Sequence, residues 1–319
     1  MEIHPKRILK HSEIAVTTST VITILFFSFL SKQFLTTSNI ASILTIAAET
    51  GIVTIGMAFL IISGDFDLSV GSTYGLSALL FGKLLEINLN PILSLFIALI
   101  ISSIIGFCNG IITLKTGISS FITTLGMMFA IRGVILAITY GFPVSYEEPS
   151  LTLDILGGKL LGDIRISVIW FIITSLIFSI ILNSTRYGNW VFATGGNKEV
   201  ARAVGVNVFK VKIMNFTILG FLAGLAGCIT FGRFRYADAL LGSNLELEAI
   251  ASSVIGGCYL SGGYGSIIGA SLGAFLIAVI RSGLVIIGAP PLWYRAFVGI
   301  ILVIAAIINS YIMKKSVLA

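Results

Sequence analysis

Between residues 14 and 313 the chain is a succession of long, continuous apolar runs separated by short polar turns. Few folds can hold such a pattern. Backbone inside a bilayer must satisfy its own hydrogen bonds, so only helices and closed barrels can span. Barrel strands would read as segments of about ten residues with alternating polarity, and these runs do not alternate. Composition closes the argument: 11% of the residues are charged, against about 25% in a soluble domain. Too few charges remain to cover a water-facing surface, and mean hydropathy is +1.05. The sequence is that of an all-α, polytopic membrane protein.

At about 20 residues per span, helices are expected near 14–33, 40–62, 68–87, 91–114, 119–140, 166–183, 208–230, 246–260, 265–288 and 293–313. These ten spans put both termini on one side and make residues 1–319 a single transmembrane domain. Eleven lysines and arginines fall in the segments on the N-terminal side, seven on the other side, and Arg132 and Arg281 within spans. The positive-inside bias makes the N-terminal side cytoplasmic. The 184–207 loop is then cytoplasmic and the 141–165 loop, with Glu147, Glu148, Asp154 and Asp163, lies outside. The N-terminus has no small-residue cleavage site and reads as a retained first helix. The net charge of +6 orients spans and does not point to nucleic acid. Cys108, Cys228 and Cys258 lie in apolar segments without metal-ligand spacing and read as inert buried thiols.

One stretch resists the membrane. Gly195, Gly196, Asn197, Lys198, Glu199, Val200, Ala201, Arg202, Ala203, Val204 and Gly205 form a short charged amphipathic island between two apolar segments. Asn197 is a good N-cap, Glu199 suits the first turn of a helix, and Gly205 is placed to end it. Val200, Ala203 and Val204 fall on one face, with Lys198 and Arg202 on another. A polar helix between spans offers a grip to a soluble partner; the alternative is a solvated connector.

Charges within the spans are the other candidates. Glu49, among Ala47, Ala48, Thr50 and Gly51, would cost roughly 2.5–3.5 kcal/mol at the centre of a span and should face protein or water. Arg132 poses the same question, either snorkelling outward or pairing with Glu49; Arg281 poses it more weakly. The segment Gly64-Asp65-Phe66-Asp67-Leu68-Ser69-Val70-Gly71-Ser72 interrupts a long apolar stretch. Asp67 can cap the next helix through the N–H of Ser69 or Val70. This is either a tight cytoplasmic turn or a broken helix reaching into the membrane near a transport path. Residues 254–266 weakly echo residues 61–72, with small residues between two apolar runs. Asp65, Asp67, Ser69, Glu49 and Arg132 are thus candidate path residues.

No catalytic or metal-binding set is apparent. A phosphate loop is missing: Gly157-Gly158-Lys159 continues with Leu160. Uphill movement would need an ion gradient, with Glu49 the main proton-coupling candidate, or a separate ATPase.

Three stretches bear a family resemblance: residues 55–72, around Asp-Leu-Ser-Val-Gly-Ser; residues 187–206, Tyr-Gly-Asn-Trp-Val-Phe-Ala-Thr-Gly-Gly-Asn-Lys-Glu-Val-Ala-Arg-Ala-Val-Gly-Val; and residues 248–257 continuing through 262–269. Over about residues 35–312 the chain resembles the permease subunits of bacterial ATP-binding-cassette importers for ribose and related monosaccharides. The resemblance implies a pair of permeases in the inner membrane, identical or not, two cytoplasmic ATPases that carry the ATP and magnesium, and an extracytoplasmic sugar-binding protein. It implies no cofactor in this chain and a role for 195–205 in gripping the ATPase. The match departs at Asp65, where a second glycine is common, and at Glu49, where a neutral residue is expected. Autoinducer-2 or a nucleoside carried by the same machinery, a self-sufficient ion-coupled carrier and a non-transporting membrane scaffold are the rival readings.

Overall fold

The computed structural model describes residues 5–290 and, beyond them, 293–294, 296–300, 302–304 and 307. The chain folds into α1 (Pro5–Leu30), α2 (Thr37–Ile62), α3 (Val70–Glu86), α4 (Pro91–Thr116), α5 (Ser120–Thr139), α6 (Leu151–Gly157), α7 (Ser167–Ser184), α8 (Arg186–Gly196), α9 (Lys198–Ala203), α10 (Val208–Phe234), α11 (Leu245–Ile255) and α12 (Ile267–Ile286). A 3₁₀ turn, Lys32–Leu35, joins α1 to α2. Two short antiparallel strand pairs complete the fold. β1 (Val144–Ser145) pairs with β4 (Tyr236–Ala237), and β2 (Lys159–Leu161) with β3 (Ile164–Arg165).

Among the described residues, seven helices are long and apolar enough to cross a membrane: α1, α2, α4, α5, α7, α10 and α12. This is fewer than the ten spans expected, for identifiable reasons. The expected span at 246–260 is α11, whose 11 residues reach only about 16 Å. The span at 68–87 is α3, whose 17 residues reach about 25 Å. The tenth, 293–313, lies partly outside the described residues, and Lys314 and Lys315 lie wholly outside them. The first helix starts earlier than expected, and the 141–165 loop is ordered into β1, α6, β2 and β3.

Burial sorts the long helices. The apolar window of α2 is 94% buried and those of α10 and α12 are mostly buried, whereas α1, α4, α5 and α7 are largely exposed. The core is therefore α2, α3, α10, α11 and α12, and the exposed Leu, Ile and Phe side chains of the other four face outward. In lipid the driving force between helices is close packing and interhelical hydrogen bonding rather than burial from water. Both are present. A Cβ on Gly106 of α4 would overlap the Phe216 carbonyl of α10, and one on Gly220 the Ser102 carbonyl of α4, so glycine lets these two backbones meet. Asn215 of α10 donates to the Phe59 carbonyl of α2 at 3.3 Å and accepts from the Tyr187 hydroxyl of α8 at 2.6 Å.

Candidate functional site

Helices α8 and α9 sit together at one end of the bundle. Thr185 Oγ1 accepts from Gly188 N and caps α8. Asn197 ends α8 and starts α9; its Oδ1 accepts from Glu199 N at 3.0 Å and Val200 N at 3.1 Å. Glu199 and Arg202 pair at 2.9 Å across one turn. Gly205 (φ +87°) takes the left-handed conformation. Its N–H donates to Arg202 O and that of Val206 to Ala201 O, which closes the helix as a Schellman motif. Ala201 is buried against the bundle, whereas Val200 is 58% and Val204 73% exposed, with Ala203 exposed between them. The apolar face read in the sequence thus points away from the protein.

Below α9, three turns meet. The α2–α3 turn at Ile62–Gly64, the end of α8 at Gly195 and the α11–α12 turn at Gly262–Gly263 share one contact. Gly263 N donates to Ile62 O at 2.8 Å. A Cβ on Gly195 would overlap that same carbonyl, and one on Gly262 would stand 2.9 Å from Gly195 O and 3.0 Å from Gly64 Cα. The weak echo between residues 61–72 and 254–266 therefore corresponds to two turns in direct contact.

The five candidate path residues make different contacts. Asp65 pairs with Lys212 of α10 at 2.7 Å, largely buried. Beyond it, Asp67 lies buried in the bundle, so the segment dips inward and α3 begins inside rather than at the surface. Asp67 Oδ1 accepts from Ser69 N at 2.7 Å and from its hydroxyl. Asn109 of α4, fully buried, donates to Asp67 Oδ2 and to Ser69 Oγ, both at 2.8 Å. Asp67 thus holds Ser69, as its spacing implies, but also anchors α3 to α4 through a residue the sequence did not single out. Arg132 does not pair with Glu49. Its Nη1 donates to the carbonyls of Ala239 and Leu241, at 2.7 and 3.0 Å, and so pins the non-helical stretch before α11.

Glu49 stands near the middle of α2, about 18 Å from its first residue and about 20 Å from its last. Its partner is Arg233, at 3.2 Å. Arg233 was expected in an outer loop, but α10 runs on to Phe234. Glu248 of α11 faces Arg281 of α12 at 3.8 Å. Both pairs border one cavity of about 290 Å³, together with Thr50, Tyr74 and Thr230; the Tyr74 hydroxyl and Thr230 Oγ1 lie 2.5 Å apart. A second cavity of about 340 Å³, lined by Lys159, Asp163 and Arg165 of the strand-pair end, adjoins it, with Ile46, Arg233 and Phe234 bordering both. Two charge-lined cavities therefore lie next to each other between the strand-pair end and the middle of α2. Glu248 and Arg281 carry the signal that marked Glu49, a charge inside an apolar run. Tyr74 and Thr230 carry no such signal. Among the described residues no His, Cys, Asp and Glu side chains cluster to hold a metal ion.

Long apolar helices closed around a charge-lined interior define an α-helical membrane permease. The chain belongs to the family described as branched-chain amino acid transport system / permease component, whose model matches residues 39–306. It is 33% identical to the ribose import permease protein RbsC of Bacillus subtilis over 92% of this chain and 91% of that protein. It is 34% identical to the galactose/methyl galactoside import permease protein MglC of Escherichia coli over 96% of each. With the xylose/arabinose import permease protein XylH of Sulfolobus acidocaldarius it shares 33% identity over 93% of this chain and 84% of that one. No solved structure matches the chain.

Proposed function

We propose that this chain is the translocation subunit of an ATP-driven, binding-protein-dependent importer of a ribose-type monosaccharide in the bacterial inner membrane. Its sugar-import relatives support the substrate class. The observation that carries the mechanism is α9, a helix capped at both ends, with Val200, Ala203 and Val204 turned outward and Gly195 wedged under it against two turns of the bundle. A rigid, capped helix with a small apolar face fits a groove on a cytoplasmic ATPase, and Lys198, Glu199 and Arg202 orient it at the rim. ATP and magnesium belong to that ATPase. An extracytoplasmic sugar-binding protein delivers the solute to the opposite end, and a second permease copy completes the channel within the lipid. The topology is that of about ten spans in one domain, with α3 and α11 as short helices completed by the non-helical stretches before them. The N-terminus and 184–207 are cytoplasmic.

Ala203→Arg tests this reading, because it puts bulk and charge into the apolar face without touching the membrane core. Co-purification of the ATPase and substrate-stimulated hydrolysis in vesicles are the readouts. Loss of either in a folded permease is the expected result. Normal values for both would remove the coupling role and favour an ion-coupled carrier.

A further inference from the structure

The cavity at Glu49 has a composition that none of its relatives' names explains. Two carboxylates, Glu49 and Glu248, face two guanidinium groups, Arg233 and Arg281, so the lining is balanced in charge. The groups come from α2, α10, α11 and α12, so four helices bring them to one place. Glu49 and Arg233 form a buried ion pair, and Glu248 and Arg281 a looser one, with the Arg281 side chain 45% exposed. Arg281 and Glu248 are 3.8 Å apart, beyond hydrogen-bond reach. Glu49 Oε1 is buried, lies 3.2 Å from Arg233 Nη1 and makes no hydrogen bond. Buried polar atoms left in this state are satisfied when something enters.

Resting on the importer reading above, we infer that this cavity is a transit site for an uncharged polyhydroxy solute and that its two ion pairs exclude charged ones. A sugar hydroxyl donates and accepts at once, so it bridges carboxylate and guanidinium without separating them. The hydroxyls of Tyr74 and Thr230 extend the same chemistry along the wall. A phosphorylated sugar brings a net charge into a site already balanced, and a buried unpaired charge is costly. A zwitterionic amino acid that sets its ammonium on Glu49 and its carboxylate on Arg233 competes with the one pair that is buried on both sides and gives up their mutual attraction. At about 290 Å³ the space lies at the small end of ligand sites, which begin near ~300 Å³. That suits a single small solute rather than an oligosaccharide.

The test is independent of the binding protein, which would otherwise impose its own selectivity. Ser243 borders the cavity and is exposed. In the full-length chain, with Cys108, Cys228 and Cys258 replaced, Ser243→Cys is reacted in permeabilised membrane vesicles with an anionic sulfonatoethyl and a cationic trimethylammonioethyl methanethiosulfonate. Thr50→Cys serves as the second reporter. D-ribose at high concentration should slow both reagents, and D-ribose 5-phosphate and L-leucine should not. Glu49→Gln should raise the anionic-to-cationic rate ratio about tenfold, the effect of one unbalanced charge in a weakly screened site. Arg233→Gln should lower it, and the double variant should restore it. Protection by L-leucine or D-ribose 5-phosphate equal to that by D-ribose overturns the inference. So do absence of protection at both reporters and a rate ratio that ignores the charge variants. Co-purification of the ATPase is scored on the same vesicles. Its loss with protection intact rejects the importer reading alone, and its presence without protection rejects the cavity assignment alone.

Discussion

The backbone N–H of Gly263 donates to the carbonyl oxygen of Ile62 at 2.8 Å, across 201 positions of sequence. Gly195 covers the same carbonyl, so the end of α8 rests on the junction of two turns with backbone against backbone. Nothing flexible lies between them. A displacement of α9 that carries the end of α8 with it would press on the turns before α3 and α12.

This contact predicts a contrast between adjacent residues. Gly195→Ala places a Cβ against the Ile62 carbonyl and 2.5 Å from Gly263 N, where only backbone could give way. Overpacking of this kind costs about 1–3 kcal/mol, and ATP-driven uptake should fall sharply. Gly196→Ala meets its nearest atom at 4.0 Å and should leave uptake and thermal stability close to wild type. Equal behaviour of the two variants would rule out a mechanical junction here.

The Glu49–Arg233 pair predicts an asymmetry. Glu49→Leu leaves the Arg233 guanidinium, 17% exposed, without its counter-ion inside the bundle. Breaking a buried pair from one side costs on the order of 3–5 kcal/mol, so folded yield in detergent should drop. Glu49→Gln keeps a hydrogen-bonding oxygen and should fold better while still altering transport. An Arg233→Met/Glu49→Leu double variant removes both charges and should recover much of the yield. Unchanged yield in Glu49→Leu would mean that the residue faces lipid or that its charge is idle.

Asn109 is expected to matter for stability although it borders neither cavity. It bridges Asp67 and Ser69 from α4, and its own Oδ1 is buried without a partner. Asn109→Leu strips the buried Asp67 carboxylate of a donor, a loss of about 1–3 kcal/mol. Thermal unfolding in detergent should show it, with Ser69→Ala milder because Ser69 N still donates to Asp67. A midpoint for Asn109→Leu equal to wild type would show that the bridge contributes nothing.

Topology can be checked directly. Ser145 and Lys198 are both exposed, at opposite ends of the bundle. In a cysteine-free background, Ser145→Cys should react with an impermeant maleimide from outside intact cells and Lys198→Cys only after permeabilisation. Reaction of both from the same side would reject the arrangement of spans.

Much of this protein is decided by short stretches of sequence. Helix α9 is legible because every group that makes it is local. The Asn197 cap, the Glu199–Arg202 pair and the left-handed Gly205 all act within one or two turns. The long spans are legible because a bilayer demands length and apolarity, and both are linear properties. The helix at 246–260 is read too long for the same reason, since α11 stops at Ile255: hydropathy does not register where a helix stops when the non-helical chain beyond it is held by protein. Arg132 supplies such a hold for 239–241, from a residue more than 100 positions away.

Partner choice is what only the tertiary structure decides. Glu49 announces itself by the cost of a carboxylate in lipid, but not that Arg233 answers it rather than Arg132. Both arginines lie within reach of the membrane by sequence, and only the extension of α10 by one more turn brings Arg233 to α2. Asp67 spells its bond to Ser69, two residues on, yet says nothing of Asn109 on another helix. Local hydrogen bonds follow from spacing along one helix or turn. The charge-lined cavity follows from four helices converging, and that convergence is set by glycine contacts and side-chain packing distributed over the whole chain.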